Sequence, residues 1–227
     1  MAGKLIISDA DHARISAAVH AAEAGTAGEI VTIIGDSSDD YGDVALWWAV
    51  IFGVLALASL AAFPSFYTNL VTALSGGWAS AMSIAEAFEL ALAMFVLIFV
   101  AVRLLLLWMP LRGWFTPHRI KANRVRQRAL SYFKVGAESR TSGRTGILIY
   151  LSMSEHIAEI VADQAIHGKI APEAWGEAMA KLVGDVREGR VADGMVAAIG
   201  DVGAILSTHF PRAADDMNEL PDRVIEL

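Results

Sequence analysis

Residues 44–63 read VALWWAVIFGVLALASLAAF, and residues 88–109 read FELALAMFVLIFVAVRLLLLWM. The first run has no charged residue in its twenty positions; the second carries Glu89 at one end and Arg103 near the other. At helical rise each run is about 30 Å long, the thickness of a bilayer core. Neither shows the polar stripe expected of a helix half-buried in a soluble core. The pair therefore predicts a transmembrane hairpin over 44–109, with soluble sequence at both of its outer ends.

Basic residues set the orientation. Arg112, Arg119, Lys121, Arg124, Arg126 and Arg128 follow the second run, whereas the connector from Pro64 to Ala87 has no Lys or Arg. That asymmetry predicts that both outer ends, and so both termini, face the cytoplasm, with the connector outside an inner membrane. Trp47, Trp48, Trp108 and Trp114 suit the interfacial belt. The connector, with Asn69, Gly76, Gly77 and several serines, is expected to lie along the outer leaflet with Tyr67 and Trp78 at the interface rather than to cross. The start, MAGKLIISDADHARI, lacks the apolar core of a signal peptide. Without cysteine, disulfide frameworks and thiolate metal sites are excluded.

The flanking pieces read as one domain split by the hairpin. In residues 1–43, Ser8 is an N-cap, Ile15, Ala18, Val19 and Ala22 form a helical stripe, and Glu29 to Gly35 (EIVTIIG) is a strand. About 40 residues cannot bury a core alone. Residues 110–227 supply partners. Thr116-Pro117 is read as a helix start, followed by a stripe of Val125, Ala129, Tyr132 and Phe133. Gly136 to Arg144 is a polar loop. Thr145 to Ser152 and His156 to Asp163 read as strands around a short turn. Pro172 opens a helix with Trp175, Met179, Leu182, Val183 and Val186 on one side. A last helix from Val191 to Thr208 turns Met195, Ile199, Val202, Ile205 and Leu206 inward. Pro211 to Leu227 is expected to be an extended acidic tail laid over a surface. Three strands and four helices make an α/β layer domain.

The segments AEAGTAGEIVTIIG (22–35), GRTGILIYLSMSEHIAEIVADQAI (143–166) and REGRVADGMVAAI (187–199) carry a resemblance. In that order, over about 1–35 and 115–210, the chain resembles the TPM-domain family. The resemblance implies an α/β/α sandwich with a small mixed sheet, tethered to a membrane. It implies a part in assembling or maintaining membrane complexes and, for some members, metal binding and acid phosphatase activity. Thr145-Gly146 stands where the family often has Asn-Gly.

Two clusters carry possible chemistry. Asp36, Asp39, Asp40 and Asp43 follow the first strand; carboxylates there could hold Ca²⁺ or Mg²⁺ through oxygen, or form a solvated linker. Lys121, Arg124 and Arg128 share one helical face just inside the membrane and suit anionic lipid headgroups or topology alone. Glu155, His156, Asp163 and His167 flank the later strands; two His with two carboxylates could serve a metal or a general acid/base pair, but without the spacing of a metal motif they read as surface groups. No P-loop, GxGxxG or Ser-His-Asp signature is present. From Thr145 to the end there are 6 Lys+Arg against 14 Asp+Glu, and no aromatic platform accompanies the basic stripe, so no nucleic-acid partner is expected. Ala45, Ala49 and Gly53 recur every four residues and fit close contact with the second run or with another copy of the chain. The expected function is a membrane-anchored module that binds the bilayer and another membrane protein. The alternative is a metal-dependent phosphatase.

Overall fold

The computed structural model describes residues 7–74, 83–136, 145–212 and 224–226. The connector residues Gly76, Gly77 and Trp78, the polar loop at 137–144 and the Glu219–Arg223 stretch of the tail lie outside them. Across these residues the chain is a mixed α/β protein with a small four-stranded sheet and three long apolar helices. It divides into two units, one of Met1–Asp39 with His118–Leu227, the other of Asp40–Pro117.

The first unit begins with α1 (Asp9–Glu23), where the Ser8 hydroxyl accepts from the Asp11 amide at 3.2 Å and caps the helix. Strand β1 (Glu29–Gly35) pairs in parallel with β2 (Gly146–Ser152), residue 29 opposite 146 through 35 opposite 152. Antiparallel β3 (Ile157–Ala162) follows β2 across a tight turn. A parallel pair requires a long crossover. Here the crossover contains the whole second unit and then α6 (His118–Gly136).

The two central strands are buried along their full length, and their residues alternate between two cores. Val31, Ile33, Leu148 and Tyr150 meet Val125, Ala129 and Phe133 of α6. Ile30, Ile34, Ile147, Ile149 and Leu151 join the opposite core. That core is completed by α1, α8 (Gly176–Arg187) and α9 (Val191–His209), through residues such as Ile15, Val19, Leu182, Met195 and Val202. A short helix α7 (Gln164–His167) and a 3₁₀ turn (Pro172–Trp175) lead into α8.

Two findings differ from the sequence reading, and a third concerns the connector. The end of the chain is not only a surface tail: β4 (Ile225–Glu226) adds to the sheet edge parallel to β1, Val224 is buried, and His12 Nε2 lies 2.8 Å from a Glu226 oxygen. Thr116 does not open the next helix. Its hydroxyl donates to the Arg112 carbonyl at 2.8 Å, closing a short helix α5 (Met109–Phe115), and α6 starts at His118. The connector contains α3 (Pro64–Leu74), whose 11 residues rise about 16 Å, too little to cross a bilayer.

In the second unit, α2 (Gly42–Ala62) and α4 (Ile84–Leu105) pack against each other. The C-terminal end of α2 shares a groove with the N-terminal end of α4, so they run antiparallel. Ala45, Ala49, Gly53 and Ala56 are buried, and a Cβ on Gly53 would sit 2.6 Å from Cε2 of Phe95. The glycine is required for that approach. Outward residues are large and apolar, and no residue of α4 is buried. Among the described residues, three helices, α2, α4 and α9, are long and apolar enough to cross a membrane. Of these, α9 buries nine residues inside the α/β unit.

Candidate functional site

The C-terminal ends of β1 and β2 lie side by side because the strands are parallel and in register at Gly35 and Ser152. Ligands of open α/β sheets gather at such ends. The ladder continues past the strands: the Met153 amide donates to Gly35 O at 2.9 Å and the Ser154 amide to Asp36 O at 2.8 Å. Gly35 has no room for a side chain, since a Cβ there would stand 2.9 Å from the Tyr150 hydroxyl.

A polar network occupies this edge. The Ser38 hydroxyl lies 3.0 Å from the Tyr150 hydroxyl and donates to Ser152 Oγ at 2.9 Å. Ser152 donates in turn to Oε2 of Glu155. Oε1 of Glu155 accepts from the Ser37 hydroxyl at 3.1 Å and the Ser38 amide at 3.2 Å. From the other side, Arg128 Nε donates to the Ser38 carbonyl at 3.0 Å, and its guanidinium lies 5.7 Å from the centre of the Tyr132 ring. Arg124 forms an ion pair with Asp39 at 3.1 Å. Burial pushes the Tyr150 hydroxyl above the ordinary tyrosine range, against the lowering influence of its bonds to Ser38 and Ser152. Tyr150 therefore stays neutral and can donate.

Ser38 and Ser152 are both buried, Ser152 completely. The proton of Ser152 is directed at Glu155 and that of Ser38 at Ser152, so in this structure both hydroxyls hold backbone and turn together. The network fastens residues 36–39 to the turn after β2, and so fixes how the chain leaves the sheet.

The sequence-predicted carboxylates are divided between the two units. Asp36 and Asp39 belong to the α/β unit, Asp40 and Asp43 to the helical unit. Asp39 pairs with Arg124, and Asp40 Oδ1 accepts from the Gly42 amide at 3.0 Å. Among the described residues, no three His, Asp or Glu side chains are gathered as a metal-holding group. Of the basic stripe, Arg124 and Arg128 are occupied by Asp39 and Ser38, while Lys121 is half-buried. Glu155 and His156 stand at one end of β3 and Asp163 and His167 at the other, so the strand separates them by roughly 20 Å. Asp163 Oδ2 accepts from the Gly146 amide at 3.1 Å and ties down the start of β2. His156 has φ 51°, the left-handed conformation that the tight turn imposes.

Ser37, Ser38, Tyr150 and Ser152 were not singled out by the sequence. One signal was present: a tyrosine inside the apolar strand GILIYLS must find a partner for its hydroxyl. The α/β unit also has a small polar cleft of about 200 Å³ between the start of α1 and the start of α9, where Arg14 bridges Asp11 and Asp193.

No protein-family model matches the chain, and no curated protein matches it. Among solved structures it is similar to the NMR structure of the BA42 protein from the psychrophilic bacterium Bizionia argentinensis, at 16% sequence identity and a TM-score of 0.56, with 100% of each chain covered. At that identity the likeness is one of fold.

Proposed function

We propose that this chain is a membrane-anchored TPM-like α/β module that binds and helps assemble a complex with another membrane protein. In this reading α2 and α4 are a transmembrane hairpin inserted into the crossover of an α/β/α sandwich. The α/β unit and both termini lie on the cytoplasmic side of an inner membrane. The observation that carries the reading is α4: all 22 residues are helical, none is buried, and Phe88, Leu92, Leu97 and Leu104 are each more than 60% exposed. Such a helix in water would be an aggregation hazard, whereas hydrocarbon matches it. The basic residues from Arg112 to Arg128 support the orientation.

The sheet's C-terminal edge supports a binding role over a catalytic one, because its hydroxyls and Glu155 bond to one another and to the backbone. Purified full-length protein in nanodiscs should not hydrolyse p-nitrophenyl phosphate above the blank, with or without Ca²⁺ or Mg²⁺. A second membrane protein should crosslink to the chain in intact cells and cease to do so when the α/β unit is replaced by an unrelated soluble domain. Metal-dependent hydrolysis that disappears in Asp36→Asn/Asp39→Asn would replace this reading with a metal-dependent phosphatase.

A further inference from the structure

The second unit, residues 40–117, has only two cations in its sequence, Arg103 near the end of α4 and Arg112 on α5. They stand on either side of the three-residue turn at 106–108, while Glu86 and Glu89 sit at the far end of α4. Each guanidinium offers five N–H donors in a planar fork. Among the described residues, Arg103 has no acceptor and its Nη1 is sealed inside the protein. Arg112 has one, the thioether of Met109 at 3.2 Å from Nη2, and its Nε is sealed without a partner. Arg14, Arg124, Arg126, Arg128 and Arg190 all reach a carboxylate or a carbonyl instead.

A partly desolvated cation without an oxygen acceptor is costly, and the cost falls when an anion meets the nitrogens that still face outward. Trp108 and Trp114, 68% and 78% exposed, flank Arg112 in sequence and mark the level of the headgroups. The oxygens at that depth are lipid phosphates, whose geometry matches the guanidinium fork. We propose that Arg103 and Arg112 bind the phosphate groups of anionic phospholipids in the leaflet next to the α/β unit. The proposal rests on α2 and α4 crossing the bilayer. It assigns lipid contact to the turn between α4 and α5 rather than to the α6 stripe, two of whose members are bonded within the protein.

The test uses the full chain in nanodiscs of phosphatidylcholine with a minority of phosphatidylglycerol, followed by mild extraction and mass spectrometry of the lipids that stay bound. Phosphatidylglycerol should exceed its share of the bilayer by roughly fivefold per arginine. Arg103→Gln/Arg112→Gln should bring it back to that share. Arg119→Gln/Lys121→Gln removes the same formal charge just beyond the unit and should keep the enrichment. Unchanged enrichment in the first variant, or equal loss in both, overturns the proposal. Displacement of the lipid by inorganic phosphate would mean that the site takes free phosphate, and also overturns it. A chain that stays out of the discs contradicts the membrane reading itself, whereas a chain that inserts without lipid preference contradicts only this assignment.

Discussion

Residues 118–227 expressed alone should fail to form a stable fold, and fusing residues 7–39 to them through a short linker should restore one. Strand β1 is central, paired on one side with β2 and on the other with β4. Its removal exposes both cores at once, with Ile30 and Ile34 lost from one and Val31 and Ile33 from the other, while loss of α1 takes away Ile15 and Val19. Burial of each such side chain is worth about 1.5–3 kcal/mol, so their sum is of the order of the whole stability of a domain. The fusion is sterically reasonable because Arg124 already reaches Asp39. Cooperative melting and dispersed amide NMR spectra are expected for the fusion and absent for the fragment. A fragment as stable as the fusion would mean that the two pieces are not one folding unit.

Gly53→Leu should separate α2 from α4. Any Cβ at this position meets the Phe95 ring, 2.6 Å from Cε2 and 2.8 Å from Cδ2, and a leucine adds three more carbons there. Overpacking of a tight contact costs about 1–3 kcal/mol. In an SDS titration followed by tryptophan fluorescence, the variant should lose the folded helix pair at a lower detergent fraction than the wild type. Phe95→Ala in the same chain should recover part of the loss, because it removes the atoms that collide. A titration identical to the wild type would show that this face of α2 is not held against α4.

Local patterns carried most of the α/β unit in the sequence. Ser8 caps its helix, the stripe of Ile15 and Val19 faces the core, and the apolar runs at 29–35 and 146–152 became the buried parallel pair. The same held for the inward residues of α9. What could not be read depended on contacts between distant segments. Two residues after an acidic stretch give no alternation, so β4 was invisible until the edge of β1 was there to pair with it. Thr116 has the chemistry of an N-cap, yet a carbonyl four residues earlier was the nearer partner. At the edge of the sheet, attention to charge favoured the aspartates of DSSDD, but the serines between them made the network. Their partners are fixed by the register that sets Gly35 opposite Ser152, and register is a property of the pair of strands. Helical spacing placed Lys121, Arg124 and Arg128 on one face; it could not say that Asp39 and the Ser38 carbonyl would meet two of them.

The most direct measurement is accessibility in intact cells, and the absence of cysteine makes single substitutions free of background. Thr72, exposed on α3, lies between the two apolar helices, and Gln127, exposed on α6, lies after them. With a membrane-impermeant thiol reagent, Thr72→Cys should be labelled in intact cells and Gln127→Cys only after permeabilisation. Labelling of Gln127→Cys in intact cells would contradict a cytoplasmic α/β unit anchored by a hairpin.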